Sequence, residues 1–283
     1  MSDSKTSEKK LINVNSKHRV NGTTTNFDVY VGSHVSNTQS IGIHSIELVN
    51  SFYNLHRNNN TLTVYIASLL NPPSIMDASP VGSFDITLAT QNYNVAAFTT
   101  ALQDALNAGI QSIPSLASVP GINTIFNVNF NSNSFKLTIS MSSSINNLAF
   151  SFYPSSGTST DKLLNVMGFL LKRNSQLINL YNRSLTSTSL VDLRGPSCIY
   201  VWSSIAPNVG VDSNGNMLQL LAKLQVDKPV GSTIFYKSND PDLDRFNVNS
   251  RNIDVIRFYL RDEDGIELDN NNMEWSLSLI AYS

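Results

Sequence analysis

Short runs of alternating apolar and polar residues open this chain, give way for more than a hundred residues, and then resume. The early runs are Phe27–Val31, Ile41–Leu48 and Leu62–Ala67. The late ones are Ile199–Ser204, Leu218–Val226, Thr233–Lys237, Val255–Arg261 and Trp275–Tyr282. Each is rich in β-branched, aromatic and aliphatic side chains and is bounded by Asn, Asp, Gly, Ser or Pro, the composition of short strands between turns. Eight such strands are the number a double-sheet jelly roll needs. The reading is an all-β chain: a single eight-stranded jelly-roll sandwich with a small α+β insertion. Period two sets one face of each strand against the opposing sheet. It predicts burial, in one sandwich, of Phe27, Val29, Leu48, Leu62, Val64, Ile66, Ile199, Val201, Leu220, Ile234, Ile256, Phe258, Leu277 and Leu279. Leu11–Ser16 has room for a further, peripheral strand. A change of phase near Ser45 predicts a β-bulge in the second run.

The interruption has structure of its own. Pro72-Pro73 cannot continue a ladder, and Phe84–Leu88 alternates as a strand. Asn94 is an N-cap candidate, after which Val95, Phe98, Leu102, Ala105 and Leu106 recur along one face. With Gly109 read as the C′ residue, this spacing predicts a helix over 95–108. Phe126–Phe130 and Phe135–Ser140, joined by Asn131–Ser134, predict a hairpin. Leu148–Tyr153 reads as another strand, and Thr160-Asp161 as the start of a helical turn through Leu163, Leu164 and Met167, closed by Gly168. The expected plan is a flexible N-terminal arm at 1–20, a jelly-roll domain at 21–70 and 196–283, and an inserted α+β subdomain at 71–195. The insertion is expected at the sandwich end that carries the loops 32–40, 227–232 and 262–273.

A chain of 283 residues is long enough to bury roughly three quarters of its unfolded surface without a disulfide or metal. Charged residues make up only 14%, while Asn and Ser number 35 and 40. Two explanations stand side by side: a coding bias toward Asn, or a charge-poor surface that packs against other subunits without desolvating charges. The formal charge of −2 argues against a nucleic-acid-binding body, although Lys5, Lys9, Lys10, Lys17, His18 and Arg19 gather near the start. The polar N-terminus predicts no signal peptide, and no apolar run reaches the length of a membrane span.

Catalytic chemistry is sparse. His18, His34, His44 and His56 all fall in the first 60 residues without metal-ligand spacing, and the single Cys198 leaves no zinc site to build. Cys198 itself, in Cys-Ile-Tyr-Val-Trp, reads as a small core residue. Asp262-Glu263-Asp264-Gly265-Ile266-Glu267 resembles the start of a calcium loop but lacks its terminal bidentate Glu. Asp240-Pro241-Asp242-Leu243-Asp244 reads as a solvated turn. No nucleophile elbow, phosphate loop or dinucleotide fingerprint occurs. No catalytic, cofactor-binding or metal residue is therefore assigned, no cofactor is expected, and the chain reads as a non-enzyme.

Several landmarks, taken in order, resemble a viral family. They are Asn15-Ser16-Lys17-His18-Arg19, Ile46-Glu47-Leu48-Val49-Asn50-Ser51-Phe52-Tyr53-Asn54, Asn92-Tyr93-Asn94 with Leu102-Gln103-Asp104-Ala105-Leu106, Met167-Gly168-Phe169, and Leu260-Arg261-Asp262-Glu263-Asp264-Gly265 before Trp275. In order and spacing the chain resembles the minor capsid, or penton, proteins of virophages and polinton-like viruses, from about residue 12 to 282. The resemblance implies a structural protein of the virion that forms homopentamers at icosahedral vertices. Its partners would be copies of itself, the surrounding major capsid protein and a host receptor reached through the insertion, with no membrane or nucleic acid, after assembly inside the host cell. The alternative, from another class, is a lectin-like or receptor-binding β-sandwich module working through its loops.

Overall fold

A computed structural model describes residues 8–32, 38–69, 78–142, 147–152, 162–169, 182–207, 210–211, 217–240, 245–248, 253–263 and 265–283. In chain order the elements begin with β1 (Lys9–Asn15), β2 (Asn21–Gly22), β3 (Asn26–Tyr30) and β4 (Ser40–Val49). Next come β5 (Thr61–Leu69), β6 (Ala78–Thr87), α1 (Val95–Ile110), β7 (Phe126–Asn131), β8 (Lys136–Met141), β9 (Leu148–Ser151), α2 (Lys162–Val166) and β10 (Ser184–Thr186). The last group is β11 (Cys198–Ser203), β12 (Gly210–Val211), β13 (Met217–Leu218), β14 (Leu220–Gln225), β15 (Thr233–Lys237), β16 (Arg245–Asn247), β17 (Val255–Arg261) and β18 (Ser276–Tyr282).

These elements form two compact units, residues 1–52 with 196–283, and residues 53–195. In the first, one sheet runs β1-β18-β4-β15, with β16 also on β4, and the other β14-β11-β17-β3-β2. Numbered along the chain, the eight principal strands read 1-8-3-6 and 5-4-7-2. That is the strand order of a jelly roll, which two Greek keys generate. The core between the sheets takes Phe27, Ile46, Leu48, Ile199, Val201, Ile256, Phe258, Leu277 and Leu279. Phe27, Phe258 and Trp275 stack their rings 5.5–6.3 Å apart, linking the two sheets.

The β-bulge expected near Ser45 is present. Ser45 pairs with Ser278 and Ile43 with Leu279, so His44 is the extra residue. It flips the alternation, and Ile41 and Ile43, then Ile46 and Leu48, all point inward.

Several expectations change. Leu62, Val64 and Ile66 are buried, but in the core of the second unit, because β5 pairs with β6 and β9. Alternation marks a strand without naming its partners. The eighth jelly-roll strand is instead β1, paired along its length with β18, so the flexible arm does not extend to residue 20; residues 1–7 lie outside the described residues. The jelly-roll boundary correspondingly falls at 52/53, ahead of residue 70. Leu220 is only half-buried. Val201 pairs with Ala222 but Trp202 with Leu220, and the skipped Leu221 turns inward. Loop 32–40 precedes β4 whereas the chain leaves this unit after β4, so the two lie at opposite ends of a 10-residue strand, roughly 30 Å apart. Residues 33–37 of that loop are outside the described residues.

The second unit holds two three-stranded sheets, β6-β5-β9 and β10-β8-β7. Helix α1 starts where expected, with the Asn94 side chain accepting from the Ala97 amide at 2.8 Å, and Phe98, Leu102, Leu106 and Ile110 form its buried stripe. It does not stop at Gly109. That residue is helical and lies against β6, where an added Cβ would come within 2.3 Å of the buried Phe84 ring. Glycine is required there by close approach, not by a left-handed cap. Gly109→Ala should destabilise this unit by about 1–3 kcal/mol through overpacking, measurable as a lowered denaturant midpoint.

A row of carboxamides flanking the buried stripe of α1 closes the free edge of β7. Asn107 accepts from the Phe126 amide and donates to its carbonyl, at 2.9 and 3.1 Å, and Gln103 accepts from the Val128 amide at 2.9 Å. Two carboxamides one turn apart thus take the place of a neighbouring strand. The 126–141 hairpin forms as expected. After α2, Gly168 adopts φ +82° and Phe169 donates to the Leu164 carbonyl at 2.8 Å, a Schellman ending. Thr160 and Asp161 lie outside the described residues.

Candidate assembly surfaces

Loops gather where β4 ends and the chain leaves the jelly-roll unit, and side chains bind them together. Asn50 donates to the Lys228 carbonyl at 2.7 Å, and Ser51 to the Asn270 carbonyl at 2.6 Å. Asn270 accepts from Thr24 at 2.6 Å, and Trp275 Nε1 donates to the Thr24 carbonyl at 2.7 Å. In the second unit Asn54 does similar work. Its amide donates to the Tyr93 and Leu193 carbonyls, both at 2.8 Å, and its oxygen accepts from the Tyr93 amide. Asn50, Asn54, Asn60, Asn107 and Asn270 are all buried. Part of the Asn content is therefore structural, a role that composition alone did not suggest: a carboxamide offers donor and acceptor together and can satisfy loop backbone without burying charge.

The residues considered for chemistry do not converge. Among the described residues no group of three or more His, Cys, Asp or Glu side chains comes together. His18 is exposed, and His44 occupies the bulge. His56 Nδ1 accepts from the Asn58 amide, and His34 lies outside the described residues. In the acidic turn, Asp262 accepts from the Ile266 amide at 2.8 Å, Glu263 from Ser197 and Glu267 from Thr25 at 2.9 Å. The carboxylates thus serve three separate partners; Asp264, Asp242 and Asp244 are outside the described residues. Cys198 is half-buried and not a core residue. Ile199, Val201 and Ser203 take the inward phase of β11, which turns Cys198, Tyr200 and Trp202 outward.

That outward phase builds the most distinctive surface of the unit. Register places Tyr200 between Lys223 and Arg261, Trp202 beside Tyr259, Arg257 beside Asp28, and Val255 beside Tyr30. The Arg261 guanidinium lies 4.6 Å from the Trp202 ring and 5.1 Å from that of Tyr259, while Lys223 sits 5.3 Å from Tyr200. Arg257 grips Asp28 with two bonds, one at 2.7 Å. On the outer face of the other sheet Asn13, Asn15, Ser45, Ser276 and Ser278 lie around Glu47, with exposed Phe235 alongside, Lys237 in register with Ser45, and Lys9 and Arg245 against the Tyr282 ring farther along.

Two carboxylates of this unit titrate low. The Arg257 guanidinium holds Asp28 below its ordinary 3.8. Burial alone would raise Glu274, but its bonds from Ser16 and Arg19 outweigh that and hold it below 4.5. Both folded values lie under the unfolded ones. The stability they confer is therefore fully present above the unfolded values and is lost as pH falls through the folded values. An Asp28→Asn variant should show a shallower loss of stability below pH 3.8 than the parent, read from melting temperatures across an acid series.

No protein-family model matches the chain, and no curated protein matches it significantly. Solved structures do. The mavirus penton protein matches at a TM-score of 0.50 and 13% identity, with 98% of this chain and 99% of that one covered. A chain of the Sputnik virophage structure matches at 0.40 and 13%, covering 98% and 97%. From end to end, this chain shares the fold of the mavirus penton protein.

Proposed function

We propose that the protein is a structural, non-enzymatic capsid subunit that forms pentameric capsomers at icosahedral vertices and contacts the surrounding major capsid protein. The observation that carries this reading is the complete jelly roll, interrupted between its third and fourth principal strands by a second folded unit, on a plan shared along 98% of the chain with the mavirus penton protein. A ring of identical subunits needs two different patches on each, because a heterologous contact closes where an isologous one only dimerises. The two unlike outer faces of the sandwich supply such a pair. Contact with a host receptor is assigned to the second unit, where Phe135, at φ 53°, and neighbouring Leu190 are both exposed. Its particles would be assembled inside the host cell and carry the protein at their vertices.

Native mass spectrometry is expected to give a species of five times 31.1 kDa, either from the protein alone or on mixing with a major capsid protein. A protein that stays monomeric under both conditions sinks the proposal. The lectin-like alternative has one observation in its favour, a shallow polar depression beside α1 lined by Gln103, Asp104, Gln111 and Asn123. A stable trimer with measurable glycan binding would favour it.

A further inference from the structure

We infer that Asn21-Gly22 is a site of spontaneous deamidation in the folded protein, where the Gly22 amide nitrogen closes on the Asn21 side chain and the carboxamide gives way to aspartate or isoaspartate.

Geometry supplies the first argument. The Gly22 amide donates to Asn21 Oδ1 at 2.9 Å, so Cγ, bonded to that oxygen, is already held beside the nitrogen, and proximity of this kind replaces an unfavourable encounter. Gly22 adopts φ +94°, and a Cβ there would meet the Asn26 carbonyl oxygen at 2.0 Å. The turn into β3 therefore requires glycine, which leaves the nitrogen without a neighbouring side chain to obstruct ring closure. Both residues are exposed, open to the hydroxide that removes the amide proton. Strand β2 is two residues long and lies at the end of its sheet, beside β3. Short exposed edges of this kind open locally at the low end of a protein's stability range, so pairing does not hold the nitrogen away from Cγ.

The chemistry balances with water alone. Hydroxide takes the Gly22 amide proton, the nitrogen bonds to Asn21 Cγ, and the Cγ–Nδ2 bond breaks with release of ammonia, which draws its last proton from water. One water then opens the cyclic imide. Addition at Cγ restores the original backbone with an aspartate at position 21. Addition at the backbone carbonyl carbon leaves the chain running through the side chain as isoaspartate.

The surroundings give the product its effect. Asn21 lies directly across from Asp28 and its carboxamide donates to that carboxylate, which Arg257 also grips. Deamidation exchanges this donor for a second carboxylate opposite the first, an unfavourable cross-strand pair. Isoaspartate also lengthens the backbone by one carbon next to the Gly22–Phe27 pair, which leads into the buried Phe27 ring.

The test incubates the full chain, kept folded as judged by circular dichroism, at mildly alkaline pH. Trypsin then releases residues 20–57 as one fragment, bracketed by Arg19 and Arg57, for mass spectrometry. Asn26, Asn50 and Asn54 in the same fragment are followed by Phe, Ser and Leu, whose side chains crowd the nitrogen, and serve as internal controls. Expected is a gain of one mass unit that fragmentation places at residue 21, at least tenfold faster than at the three controls and accelerating with hydroxide concentration. Part of the product should accept a methyl group from isoaspartyl methyltransferase. An Asn21→Gln variant, which would have to close a larger ring, should lose the conversion; should it fail to fold, the controls within the parent fragment carry the test. No gain at residue 21 of the folded parent, over a time in which the urea-unfolded chain converts there, overturns the inference. So does conversion of the three controls at the same rate, or an unchanged gain in folded Asn21→Gln.

Discussion

Excising residues 53–195 and joining Phe52 to Pro196 through a short Gly/Ser linker should leave a cooperatively folding jelly roll. The two hydrophobic cores share no residue. Every member of the first lies in 1–52 or 196–283, and every member of the second in 53–195. The two ends to be joined meet a common loop. The Asn50 amide donates to the Ser232 carbonyl, and the Ser197 carbonyl accepts from the Val226 amide, so the 226–232 connection touches both. A domain of roughly 140 residues buries about 68% of its unfolded surface, enough to stand alone. The expected result is a single sigmoidal melt with near-ultraviolet dichroism from Trp275 in its aromatic cluster. A chain without that signal or without cooperativity would show that the second unit completes the first.

Phe258→Ala is the most damaging single change expected in the jelly roll, at about 3–5 kcal/mol. Its side chain is fully buried, with ring centroids 5.7 Å from Phe27 and 6.3 Å from Trp275. Those rings belong to β3 and to the residue leading into β18, one on each sheet. Removing the Phe258 ring opens a cavity beside the other two, which already touch each other at 5.5 Å and whose backbones, fixed by the β3 ladder and by the bonds of Trp275 to Ser16, cannot close it. The denaturant midpoint should fall with little change in slope, with Trp275 fluorescence as the probe. Tyr259→Ala, on the outward face of the same strand, is the control and should cost far less. Equal losses from the two would contradict the assigned faces.

Seven of the eight runs named from alternation are principal strands of the sandwich, and the bulge near Ser45 and the Asn94 cap are where periodicity and capping chemistry place them. These are local properties. Which face of a strand is apolar, where one extra residue breaks phase, and which side chain can accept from a helix's first amides are all set within a few residues. The candidate faces were less legible. Tyr200, Trp202, Tyr259 and Arg261 read singly as ordinary outward strand positions, and only the register of β11 with β17 places them side by side.

Sequence by itself therefore determined the element types, the phase of each strand and the presence of an inserted α+β body. Tertiary structure alone decided the partners. It put Leu62–Ala67 under the second unit's helix-bearing core, recruited Lys9–Asn15 as the eighth strand despite two exposed lysines, kept Gly109 inside α1 against Phe84, and turned Asn54 and Asn107 into cross-links. The physical reason is range. Alternation and capping are satisfied by neighbours in the chain, whereas a strand's free amides and a glycine's missing Cβ are satisfied only by residues far away in sequence, whose identity a local pattern does not contain.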